Sequence, residues 1–588
     1  MYPAAALRCA VAVLLCCLAP GVLTAQTNIR NNGTITNTGT TTITGYFENF
    51  KNAGGGTFNN SGTYNIGSYF SNNNTGGTDG AMTITAGTVT VTGNYTNDNG
   101  STTVNGTGNL KLAGSTNSNA TPILFSVSSG SVEYSGAAQN VLAATYNGLR
   151  LSGSGNKTMS GNVTVSTTFD LSAGTLVVGS NTLDIQTATL ASTSGTLSAA
   201  SGTVSYTRSG TQQVYPATYA TLTLSGAFTK TAQGAVTVNT TLNNPSGTTL
   251  AMGSNTFTTG ASANVADAVN PGTITAAGTV TFGQASPDIG GLFNYTGTGQ
   301  TVAAAQYKDL TLSGTTPAFG ASTVLISGTF TSSAVPTFNS ASTVEYNGSG
   351  SQTVLALNYA NLTSSSSGAR TLASSGTIGV SGTFTPGTNS YTITSSTVDF
   401  NGSGSQNIPA FNFNNLTSSS SGARTLVNGG TIGVAGTFTP GTNSYTVTGN
   451  TFDYNGTATQ TITSFTYNHL SLTSGSTVTK NLGGAVTVNG NLTVNTNNSL
   501  DDAGFQITGN ASGTLTLPAG SSLTLGSAGT ATLFPTGFTT GNITLNTSST
   551  VIYNSDQAQT ISVVPVYGNL TLTATSGVTK TISGAATV

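Results

Sequence analysis

The chain has 588 residues, of which only 5% are charged, and its formal net charge is −2. An average soluble protein carries about 25% charged residues. No basic run is present to neutralise phosphates and no charged block forms a tail, so the composition argues against nucleic-acid binding. Hydrophobic residues still make up 36% and recur in short alternating runs, which argues for ordered β-structure rather than disorder.

Residues 1–25 read as a secretory signal peptide. Arg8 supplies the early positive charge, Cys9 to Leu18 is apolar, and Leu23-Thr24-Ala25 ends on a small residue. The stretch is too short for a transmembrane helix. All three cysteines, Cys9, Cys16 and Cys17, lie inside it, so the mature chain is expected to have no disulfides. No later segment reaches the length of a membrane-spanning helix.

Residues 26–125 read as coils of a β-solenoid. GTITNTGTTTITGYFEN from Gly33 returns from Gly56 as GTFNNSGTYNIGSYFSN. Ile43 then meets Ile66, Tyr46 meets Tyr69 and Phe47 meets Phe70. A third partial copy starts at Gly87, placing Val91 and Tyr95 where Ile66 and Phe70 stood. Runs such as Thr88-Val89-Thr90-Val91-Thr92 put apolar residues on one face and hydroxyls on the other. Gly and Asn suit the corners. No helical stripe is present. A coil of about 23 residues cannot bury its apolar side alone, so like residues stack on like about 4.8 Å apart. About 24 coils would make a rod on the order of 110 Å long.

Residues 126–588 carry a larger repeat of three parts, with a period of about 54 residues where it is most regular. The first part is V-x-Y, a turn and Q-x-V/I. It is seen at Val344-Glu345-Tyr346 with Gln352 and again at Val398-Asp399-Phe400 with Gln406. Other copies centre on Gln139, Gln212, Gln300, Gln460 and Gln559. The second part is an aromatic before L-x-L, as at Tyr146, Leu149 and Leu151. The third is G-x-V/I-x-V-x-G-x-F/L, as at Gly376 to Phe384, in frame with Gly39 to Phe47. The large unit is therefore expected to equal two or three coils. Ala261 to Pro287 and Asp501 to Pro535 break the spacing and read as inserts. The last residues, Gly584 to Val588, stop within the third part, which reads as truncation.

Chemistry is sparsely marked. Asp501-Asp502 is the only adjacent acid pair, and its geometry favours a loop or solvated turn over a glycosidase dyad. Glu133, Glu345, Asp399 and Asp453 share one repeat position and read as solvated charges beside the key aromatic, with an acidic ladder as the alternative. His469 is the only histidine and reads as a surface substitution. The repeated Tyr and Phe read as core stacks, with sugar stacking as the outward alternative. Gln139 and its counterparts suggest an amide ladder. The Lys and Arg residues look scattered. No catalytic, cofactor-binding or metal-binding residue is expected.

The pattern G-T-I-x-N-x-G at Gly33, and the unit Val344-Glu345-Tyr346-Asn347-Gly348 with Gln352, Tyr359 and Leu362, carry a resemblance. They resemble the filamentous-haemagglutinin-like and autotransporter adhesins, β-strand-repeat secreted surface proteins of Gram-negative bacteria. The resemblance implies an all-β, right-handed parallel β-helix that is secreted or displayed on the outer cell surface. It implies attachment to glycans or host matrix molecules, or a surface layer, and passage through export machinery of the outer membrane. It transfers no site residue. The competing readings are a polysaccharide lyase or hydrolase on a β-helix and an ice-binding rod with rows such as Thr88 and Thr90.

Overall fold

The structure, a computed structural model, describes residues 22–25, 28–31, 33–50, 56–73, 80–97, 100–115, 117–119, 125–475, 477–573 and 577–588. The expected signal peptide lies outside these residues except for Val22–Ala25, a strand that pairs with Thr40–Ile43. Two units divide the chain, Met1–Gly291 and Leu292–Val588. Each is a stack of parallel β-coils, so the β-solenoid expectation holds.

In the first unit the predicted register is the observed one. Ile43 pairs with Ile66, Ile35 with Phe58 and Phe47 with Phe70. Val91 follows on Ile66, and Tyr95 on Phe70. The alternation explains which side chains go inward: Val89 and Val91 are buried and Thr88 and Thr90 are not. Phe47, Phe70 and Tyr95 form one continuous stack, with ring centroids 5.6 Å apart at each step. Two asparagine ladders run beside it. Asn31, Asn49, Asn72 and Asn97 are linked amide to amide at 2.8, 3.0 and 2.9 Å. Asn37 donates to Asn60 at 2.6 Å in the second.

Coil length corrects the sequence expectation. The step from Gly33 to Gly56 in the N-terminal copies is not general. Val344 already pairs with Leu362, and Val324 with Val344, so the coils of the second unit are shorter. The inserts are mostly coils as well. Thr273–Ala276 and Val280–Phe282 of the first, and Leu515–Leu517 and Ser522–Leu525 of the second, stack in register on strands of the preceding coil. Residues 526–535 leave the stack before Thr536 rejoins it as a parallel bridge to Thr508, so that Leu515 finds its next partner at Ile543.

In the second unit, three strands make one coil. Thr343–Tyr346, Gln352–Val354 and Asn358–Tyr359 stack on Asn361–Ser364, Arg370–Leu372 and Thr377–Val380. Phe384–Thr385 and Tyr391–Thr392 follow before the next V-x-Y strand, Thr397–Phe400. The repeat thus holds eight strands, which is two and two-thirds coils. Consequently Thr397–Phe400 stacks on Thr377–Val380, not on the side that carried Thr343–Tyr346. Thr451–Tyr454 stacks on Thr431–Val434, on the third side. Each copy is turned by one face relative to the last.

The key aromatics are buried, as expected, and they do more than pack. The hydroxyls of Tyr346 and Tyr359 meet at 3.0 Å. Tyr346 accepts from the Leu355 N–H at 3.3 Å, and Tyr359 donates to the Leu355 carbonyl at 3.1 Å. The pair therefore serves both backbone polar groups of a half-buried corner residue. Tyr134–Tyr146, Tyr206–Tyr219, Tyr295–Tyr307, Tyr454–Tyr467 and Tyr553–Tyr567 repeat the hydroxyl pair. One copy departs. Phe400 and Phe413 replace the tyrosines, packing edge to face at 6.2 Å. There the corner residue is Pro409, which has no N–H to leave unpaired.

Tyr346→Phe, made alone, strands the Leu355 N–H. It is expected to destabilise the local coils by about 1–3 kcal/mol. Native-state hydrogen exchange at the Leu355 amide checks this, and unchanged protection would refute the pairing.

Candidate functional site

The strongest polar arrangement lies at the corner after each V-x-Y strand. The chain reverses there within a few residues, so several backbone groups leave the strand ladder and need partners. Gln352 supplies some of them. Its Oε1 accepts from the Gly348 N–H at 2.9 Å, and its Nε2 donates to the carbonyls of Ile326 and Gly328, one coil back, at 2.8 and 2.7 Å. Gln139, Gln406 and Gln460 make the same contacts. The expected amide-to-amide ladder of glutamines is absent from these contacts, because each amide is spent on backbone.

A cation from the following coil completes the corner. Gln352 pairs in register with Arg370, Gln406 with Arg424, Gln139 with Lys157, and Gln212 with Lys230. Lys480 and Lys580 hold the same place opposite Gln460 and Gln559. Lys157, Lys230, Arg370, Arg424 and Lys480 are wholly buried. Lys157 Nζ donates to the carbonyls of Gly136, Ala137, Gly153 and Ser154 at 2.5–3.2 Å. Arg424 spreads its guanidinium over the Phe400, Gly402 and Gly422 carbonyls at 2.7–3.0 Å, with Nε on Ser418. Six of the 13 basic residues are therefore not scattered but share one socket. The signal was a constant spacing from Gln to cation, identical at Gln139, Gln212, Gln352 and Gln406. In the copy at Gln300 the register puts Pro317 there instead.

The acids are also absorbed. Glu133, Asp399 and Asp453 are buried rather than solvated, which corrects the expectation. Glu345 accepts from Ser365 at 2.5 Å and Asp399 accepts from the Ser419 hydroxyl and N–H at 2.5 and 3.0 Å. Each thus clamps the turn one coil on. No acidic ladder forms from Glu345, Asp399 and Asp453, because they lie on three different sides of the coil. Asp502 is buried too, not in a solvated turn. It accepts from the Gly504 and Gly526 N–H groups at 2.8 and 2.7 Å and from Thr532, tying down the excursion of residues 526–535. Burial raises its carboxyl above the ordinary value.

His469 takes the place of an asparagine. Its Nδ1 accepts from the Asn491 N–H at 2.9 Å, as Asn361 Oδ1 accepts from Thr383 at 2.9 Å. An acceptor imidazole that satisfies backbone needs no metal to explain it. Among the described residues no cluster of His, Cys, Asp or Glu is placed to hold a metal ion. A shallow depression lined by Phe125, Thr145, Asn162 and Thr164 gathers no titratable group.

Outward-facing polar groups form two local arrays in the first unit. Lys111, Glu133, Arg150 and Asp170 are consecutive partners in one row, with alternating charge. Lys111 and Arg150 bridge to Glu133 and Asp170 at 3.1 and 3.2 Å. The second array joins Arg30, Tyr46, Glu48 and Tyr69. Its two aromatic rings stack at 4.8 Å with an interplanar angle of 12°. These tyrosines sit next to Phe47 and Phe70, and strand alternation sends the neighbours to opposite sides.

No family model, curated protein or solved structure matches the chain.

Two opposing proton linkages follow from the corners. Burial pushes the Lys230 and Lys480 ammonium groups from 10.5 down to about 8. The charged form is penalised in the fold, so stability rises as pH climbs from about 8 toward 10.5. Burial pushes Tyr134, Tyr295 and Tyr346 up from 10 to about 12. Their contribution is complete below pH 10 and is lost between 10 and about 12. Thermal midpoints followed by circular dichroism are expected to rise past pH 8, crest near 10 and then fall. A profile that declines steadily from neutral pH would contradict this. Lys230→Met leaves the Gly210 carbonyl and the Gln212 Oε1 without their lysine donor. The expected cost is about 1–3 kcal/mol, with a smaller rise above pH 8 in the same scan.

Proposed function

We propose that the chain is a secreted or cell-surface protein that serves as a structural and adhesive scaffold. The observation that carries this reading is how its ionisable groups are used. Repeated cations go to corner carbonyls and repeated acids go to the next turn, as in Arg424 and Asp399. The groups that recur along the chain are thereby committed to structure and not to general acid–base chemistry. The outer side chains of the strands are mainly Thr, Ser and Asn, as at Thr353, Thr371 and Thr392 in one row. Such a surface offers hydroxyls and amides to glycans or to the polar faces of matrix proteins. The adhesin-like motifs at Gly33 and Val344 support the same reading, and so does the export signal read in residues 1–25.

The test is a glycan array and a panel of immobilised matrix proteins, probed with the purified full chain, with polysaccharide cleavage assayed alongside. Saturable binding without turnover is expected. Sustained cleavage that disappears in Asp502→Asn would overturn the scaffold reading in favour of an enzyme.

A further inference from the structure

We infer that Tyr69, with Tyr46, Glu48 and Arg30, forms a binding subsite for a neutral hexopyranose unit of a glycan. This rests on the attachment reading above and names the place where a sugar would sit.

The aromatic rings of this chain are mostly core. Phe47, Phe70 and Tyr95 are fully buried, as are the paired tyrosines of the repeat. Tyr46 and Tyr69 differ: both are partly exposed and stack on each other outside the coil. The register that pairs Phe70 with Tyr95 puts Asn94 where a third ring would continue the row. The stack therefore ends at Tyr69, beside a short polar side chain. At the other end the Arg30 guanidinium lies 6.0 Å from the centre of the Tyr46 ring.

The polar groups around the rings are fixed. Glu48 accepts from the Tyr69 hydroxyl at 2.6 Å and takes Arg30 Nε at 2.7 Å on its other oxygen. The hydrogen bond to Glu48 raises the Tyr69 phenol to about 12, so the ring stays neutral and donating. An aromatic face is negative at its centre and attracts the positive C–H edge groups of a pyranose. A carboxylate, a guanidinium and a phenol beside that face suit the hydroxyls around a sugar ring, as the few oriented polar groups of a ligand site do. The choice of a neutral sugar follows from charge. Arg30 is already neutralised by Glu48, so a uronic or sialic acid would find no net positive charge here. The pair is held from beneath as well: the Tyr46 N–H donates to Asn28 Oδ1 at 3.1 Å.

The experiment titrates the full chain calorimetrically with a neutral β-linked hexopyranose tetramer and, separately, with a uronic-acid tetramer. The neutral tetramer is expected to bind and the acidic one to bind more weakly. Tyr69→Ala is expected to weaken binding at least about tenfold. Tyr69→Phe keeps the ring but loses the bond to Glu48, and should cost about threefold. Phe228→Ala, an exposed aromatic elsewhere in the same unit, should bind as the parent does. Saturation-transfer NMR on the parent protein gives a readout independent of any variant: irradiating tyrosine ring protons should saturate sugar C–H protons. Equal binding by Tyr69→Ala, a preference for the acidic tetramer, or absence of that transfer overturns the subsite. If matrix proteins bind but the sugars do not, the subsite falls while the attachment reading stands. If nothing binds, both fall.

Discussion

Strand backbone groups in this fold point along the stack. The Thr63 N–H donates to the Gly39 carbonyl one coil back, and the Thr88 N–H to Gly62. A coil in isolation would leave those groups to water, so each coil is stable only on its neighbours. The same bonds lock the register. A slip by one residue would send Ile66 outward and Asn65 inward, because side chains alternate along a strand. Strands therefore cannot change length freely, and variation in the chain is pushed into the corners.

The corners are where the sequence spends its unusual residues. Leaving the ladder exposes carbonyls and N–H groups that the coil above and the coil below must satisfy. The repeat answers with three devices: a glutamine reaching back one coil, a cation reaching back from the next, and a tyrosine pair on the residue after the Q-x-V run. The Phe400, Phe413 and Pro409 copy shows that these are coupled through hydrogen-bond supply. The acceptor hydroxyl and the donor N–H are lost together, and the rings still pack. A similar fit appears at Gly379. Asn401 reaches across to Asn358, two coils away, and a Cβ on Gly379 would collide with both amides. Only glycine leaves room for that bridge.

Much of the architecture was legible from the chain. The offset from Gly33 to Gly56 placed Ile43 on Ile66 and Phe47 on Phe70, because like-on-like stacking writes itself into a repeat. The inward placement of the key aromatics followed from alternation. The cation socket was not seen, although Gln352 to Arg370 and Gln406 to Arg424 keep one spacing. A lysine in one copy and an arginine in another hide the match, and basic residues are ordinarily read as solvated. The buried state of Asp399 was missed for a related reason. Its partner, Ser419, is one more serine in a chain full of them, and only coil geometry brings the two together. The exposed Tyr46 and Tyr69 pair was aligned correctly in sequence, but its outward direction needed the coil corner.

The mismatch between repeat and coil limits where a ligand row can form. Between Thr343 and Thr451 the repeat advances by eight strands while a coil takes three. Any side chain carried by the repeat then winds around the solenoid, as Glu345, Asp399 and Asp453 do. A ligand approaching from one side would meet it only after several coils. In the N-terminal stretch the repeat equals one coil, and identical positions stack directly: Thr40 on Thr63 on Thr88, and Tyr46 on Tyr69. Neighbouring copies there present the same chemistry a strand spacing apart, about 4.8 Å. Periodic recognition of a long polymer by adjacent coils is thus geometrically available near Tyr69. The turning repeat instead carries each of its side chains to a new side of the coil with every copy.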